Sequence, residues 1–120
     1  MKSLHIISQS PDFTGSGKFI QEIIRQSTLS GHENYLLAGA QADFQMASSL
    51  IPASRCAFVR FDGKDLDYPI PGMSDIMPYK STVFSTLKGE SLSAYKRVFE
   101  QKIRAAIEKI EPDILHTHHL

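Results

Sequence analysis

The joint Ile110-Glu111-Pro112-Asp113-Ile114-Leu115-His116 constrains the fold of this chain more than any other stretch. Before it, from Ser91 onward, Tyr95, Phe99, Ile103, Ile107 and Ile110 recur at helical spacing. They make one apolar face and leave Lys96, Arg104, Glu108 and Lys109 to solvent. Pro112 lacks the N–H that the next helical turn needs, so the helix ends there. With Ile114-Leu115 an apolar strand then begins, and Asp113–His116 is predicted as the last strand.

The same alternation runs through the rest of the chain. Leu4–Ser8 is an apolar run with a turn-rich exit, the pattern of a strand buried on both faces. A helix follows, with Phe19, Ile20, Ile23, Ile24 and Ser27 on one face, and Ser30-Gly31 ends it. Asn34–Ala38 and Cys56–Phe61 are the next strands. Between Asp62 and Glu90 lie Pro69, Pro71 and Pro78 among scattered aromatics, which predicts loop with one short helix near Tyr79–Leu87. Alternating apolar strands and helices specify an α/β fold, a Rossmann-like parallel sheet with flanking helices.

With 120 residues, 42% of them apolar, the chain makes one domain with a modest core. Thirteen Lys and Arg balance thirteen Asp and Glu, so the composition carries no signal for nucleic acid or a membrane surface. The apolar runs are too short for a transmembrane segment, and the start lacks a signal-peptide cleavage site. One cysteine, Cys56, excludes an internal disulfide framework and fits a cytoplasmic protein; its strand context predicts a buried, inert thiol.

Ligands of parallel sheets bind beyond the carboxyl ends of the strands, at the topological switch point. Two unusual segments are expected there. The first is the loop Gln9–Gly17, which opens the first helix. Gly17-Lys18 does not make a phosphate loop, because Asp12 stands at the required glycine and Phe19 at the required Ser/Thr. A dinucleotide fingerprint fails as well, at Ile20. Small residues at a helix N-terminus still let backbone N–H groups approach an anion. The plain alternative is a turn with Thr14 or Ser16 as helix cap.

The second segment holds His116, His118 and His119. His116 and His118 would point the same way from a strand, as donors to a hydroxyl or phosphate. For a metal site, no cysteine or paired acid completes the set, so none is expected. His119 fits a strand end meeting water, while His5 and His32 read as structural.

The chain resembles the start of a GT-B-fold retaining glycosyltransferase of the class that includes glycosyltransferase family 4. Three features carry the likeness: the loop Thr14-Gly15-Ser16-Gly17 opening a helix after the first strand, Gly31-His32-Glu33 before the second, and Pro112-Asp113-Ile114-Leu115-His116-Thr117-His118 as a later one. Thr14-Gly15 stands where the family often has adjacent glycines, and Asn34 where an apolar residue is usual.

The resemblance implies an N-terminal, acceptor-side domain spanning residues 1–120 and cut short at its C-terminal end. It implies transfer of a sugar from a nucleotide-sugar donor, such as a UDP-sugar, to an acceptor hydroxyl with retention. Gly15, Ser16 and Gly17 would lie near the donor phosphates, and His118, supported by His116, near the transferred bond. Residues 62–90 would help form the acceptor side. No metal or other cofactor is implied, and this part alone would be inactive. Two other readings stay open. One is a binding module without catalysis, self-associating through an exposed sheet edge. The other is a hydrolase using the histidines, which lacks a nucleophile with an adjacent base.

Overall fold

A computed structural model describes residues 1–12, 14–46, 51–72 and 77–118. Its centre is a four-stranded, all-parallel sheet in the order β3-β2-β1-β6. The strands are β1 (Lys2–Ile7), β2 (Glu33–Ala40), β3 (Cys56–Arg60) and β6 (Ile114–His118). Two helices, α1 (Gly15–Leu29) and α2 (Gly89–Ile110), pack on it. This is the α/β class the alternation predicts. Numbered by their succession within the sheet, the strands run 3-2-1-4, the order of a Rossmann-like half-sheet with its switch point between β1 and β6.

Side-chain alternation along β1 divides the core between the two faces of the sheet. Ile7 packs with Ile20 and Ile24 of α1 and with Leu36 and Ala38 of β2. Leu4, Ile6 and Leu37 pack with Ala106 of α2 on the other face. A third cluster joins Val59 and Phe61 to Leu66, Ile70, Leu87, Tyr95 and Phe99, so much of the segment after β3 is core rather than surface loop. That segment holds a two-residue parallel pair, β4 (Pro71–Gly72) with β5 (Thr82–Val83), which the sequence does not announce. The short helix expected near residues 79–87 is a single 3-10 turn, Phe84–Thr86.

The ends of the elements follow local chemistry. Thr14 caps α1, its Oγ1 accepting from the Gly17 N–H at 2.9 Å. At the other end Gly31 takes φ +87°, and the His32 and Gly31 N–H groups donate to Ser27 and Thr28 carbonyls. That pair of bonds is a Schellman stop, as Ser30-Gly31 predicts. Glu111 ends α2 in the left-handed region at φ 52°, just before Pro112. Asp113 then docks β6 beside β1: its N–H donates to the Lys2 carbonyl and its carboxylate accepts from the Lys2 N–H, both at 2.8 Å.

Two expectations need correction. Phe19 is not part of the buried face of α1; it is 60% exposed, because Gly17, Ile20 and Ile24 are the residues turned to the sheet. Cys56 is only half-buried at the start of β3, an edge strand of the sheet, although burial still raises its thiol pKa. Among the described residues, no helix is long and apolar enough to cross a membrane.

Candidate functional site

Parallel pairing of β1 with β6 sets His5 directly beside His116. Both strands carry Leu-His in register, Leu4 with Leu115 and His5 with His116. His118 lies two residues on, so its side chain leaves the same face of β6. The three imidazoles meet there. His5 Nδ1 is 3.2 Å from His116 Nδ1, and His116 Nδ1 is 3.3 Å from His118 Nε2. The His116 and His118 ring centroids are 4.1 Å apart.

His5 is the buried member of the group, and His116 and His118 are half-buried. Burial is the main cause lowering the His5 pKa; the Asn34 hydrogen bond opposes it and nearby His116 adds to it. His5 Nε2 lies 2.9 Å from Asn34 Oδ1. The Asn34 amide nitrogen donates to Thr28 Oγ1 at 3.0 Å and to the His32 carbonyl at 3.3 Å. A carbonyl can only accept, so this fixes the amide with Oδ1 toward His5. His5 Nε2 is therefore the protonated nitrogen, and in the neutral ring Nδ1 carries its lone pair toward His116.

The sequence points to His116 and His118 as candidates; the structure brings them together with His5, which from its place in the first strand reads as structural. The signal was present in the repeated Leu-His of the first and last strands, but using it requires knowing that those strands are neighbours. Asn34 escapes notice for the same reason. Phe19 is the other addition: its ring meets that of His118 edge-on at 6.0 Å between centroids. His119 lies outside the described residues.

The loop after β1 splits into two roles. Gly17 is buried in the first turn of α1, where a Cβ would stand 2.5 Å from the Pro11 carbonyl oxygen and 2.9 Å from that of Ser10. Its N–H is already taken by Thr14. Close packing, rather than access for a ligand, accounts for this glycine. Gly15 is exposed and has open space around its Cβ position. Ser16 is half-buried beside it. Gln21 holds the loop in place, its amide donating to the Pro11 carbonyl at 2.6 Å and to Asp12 Oδ1 at 3.0 Å.

On the α2 side of the sheet a cleft of about 760 Å³ opens past the end of β1. Ser8 and Gln9 meet Tyr95, Phe99, Ile103 and Ile107 there. Pro71, Gly72 and Phe84 close it from the segment after β3. Its lining is mainly apolar, of the kind that takes a ligand's hydrophobic part.

Compared with known proteins, the chain matches no protein-family model, no curated protein and no solved structure.

Proposed function

We propose that this chain is the N-terminal, acceptor-side domain of a retaining, nucleotide-sugar-dependent glycosyltransferase of GT-B fold. One observation carries the reading: the loop opening α1 and the histidines of β6 flank the switch point between β1 and β6. Parallel sheets bind ligands there. The N–H groups of Gly15 and Ser16, at the positive end of the α1 dipole, serve the donor phosphates. His118 and His116 serve the sugar and the transferred bond. The cleft lined by Pro71, Gly72 and Phe84 is the acceptor side.

Sugar transfer of this kind needs positioning and stabilisation of charge on the leaving phosphate. Preorganised N–H donors and an imidazole supply both. A donor such as a UDP-sugar needs a second domain to complete the crevice, so residues 1–120 by themselves neither transfer nor hydrolyse it.

The test is donor turnover by the protein expressed from its whole reading frame. A panel of UDP-, GDP- and ADP-sugars is supplied with water or simple alcohols as acceptor. Release of nucleoside diphosphate with retained anomeric configuration is expected, and His118→Ala lowers kcat by about 10²–10³-fold. A folded protein that releases none from any donor overturns the reading.

A second reading has its own observation. Ile114 and Leu115, on the edge strand β6, are 43% and 48% exposed. An apolar edge strand invites pairing with another chain. A non-catalytic module would then close its sheet with a second copy. Sedimentation separates the two: this reading requires a dimer that Leu115→Lys dissociates.

A further inference from the structure

We propose that His5, His116 and His118 form a three-imidazole site for a divalent transition-metal ion of the zinc type. Their ligand atoms all lie within 4.8 Å of one another, the sole such grouping of three among the described residues. Two of the separations are telling. Nitrogens bound to zinc at about 2.0–2.1 Å and at the tetrahedral angle stand about 3.3–3.4 Å apart. His5 Nδ1 to His116 Nδ1 is 3.2 Å, and His116 Nδ1 to His118 Nε2 is 3.3 Å.

Proton accounting points the same way. Asn34 fixes the proton of His5 on Nε2, so His5 Nδ1 presents a lone pair to the cluster. His116 Nδ1 faces both neighbouring ring nitrogens. One proton on it can lie along only one of those two contacts. A cation at the centre of the three nitrogens satisfies both at once, with every ring neutral. The Asn34 contact is also what a metal-bound histidine normally has: its second nitrogen donating to an oxygen that holds the tautomer and the ring plane.

The donor set selects the ion. Three imidazoles with no carboxylate suit zinc, copper or nickel rather than magnesium or calcium. Three protein ligands leave a fourth position for water or a substrate oxygen, the arrangement of catalytic rather than purely structural zinc. Phe19, edge-on to the His118 ring, stands as an apolar wall next to it. This inference is independent of the transferase reading, and either can fail alone.

Cobalt titration of the chelator-stripped chain tests it, with visible absorption as the readout. The expected result is one equivalent bound per chain, with the strong d–d bands of a tetrahedral site that zinc then abolishes. His118→Ala removes a ligand and should eliminate those bands. Asn34→Ala removes only the support of His5 and should weaken binding by about 10–100-fold. His5→Gln should also eliminate the bands; should it fail to fold, His118→Ala and Asn34→Ala decide. No tetrahedral spectrum at saturating cobalt overturns the proposal. So does binding that survives His118→Ala, or binding that a folded His5→Gln or Asn34→Ala leaves unchanged, since surface histidines then hold the ion.

Discussion

Gly15 and Gly17 stand two positions apart in the first turn of α1 and answer to different demands. Gly17 lies where a Cβ would collide with main chain at Pro11 and Ser10, which cannot swing aside as a side chain would. Gly17→Ala should therefore cost about 1–3 kcal/mol, as overpacking typically does. Gly15 has nothing within 4 Å of its Cβ position. Gly15→Ala should change stability by less than about 0.5 kcal/mol, as at other exposed positions. Urea denaturation of the two variants checks the contrast. From the sequence the two glycines look alike, as parts of one small-residue loop. Their difference arises from the path of Ser10-Pro11 across the helix start, a non-local matter that spacing does not encode. His5 was hidden for a related reason: its chemistry depends on a strand that lies more than a hundred positions away.

At the level of elements, local signals were enough for what local forces decide. Pro112, Ser30-Gly31 and Thr14 mark helix ends because caps and breakers act within a few residues. The apolar face of α2 was legible, and Tyr95 and Phe99 are buried on it. Phe19 was misread because helical spacing defines a face without saying how wide a stripe the sheet covers. The β4–β5 pair was not legible, since two residues per strand leave no pattern to read. The pairing of β1 with β6 carries a pH dependence. Burial lowers the His5 pKa from an ordinary 6.5. Below that value the unfolded chain binds a proton that the folded chain resists, so stability falls with pH. In metal-free protein the urea midpoint should drop as pH is lowered through about 6.5 and level off below the folded-state pKa. His5→Asn should flatten that slope; an unchanged slope would assign it to other groups.

At the scale of the whole molecule, the segment after β3 contributes to the core. Phe61, Leu66, Ile70 and Leu87 join Tyr95 and Phe99 of α2 in a single cluster, so a stretch rich in proline and aromatics is partly core. Phe99→Ala removes a ring that is 5% exposed and packed against the Tyr95 ring, tilted by 44° with centroids 4.8 Å apart. The loss should be about 3–5 kcal/mol, a large share of the total for a domain of this size. Thermal and urea unfolding would measure it. Fold class was readable because alternation of strand and helix is a property of the whole chain. Strand order was not, and with it went the third histidine and the oxygen that orients it. The transferase reading and the metal site both place their chemistry at the β1–β6 switch point.

Long-range ¹⁵N–¹H NMR of the histidine rings in metal-free protein tests the convergence most directly. His5 is expected as the Nε2–H tautomer, with cross-ring contacts from His116 to both His5 and His118. A His5 protonated on Nδ1, or three rings without mutual contacts, would contradict that expectation.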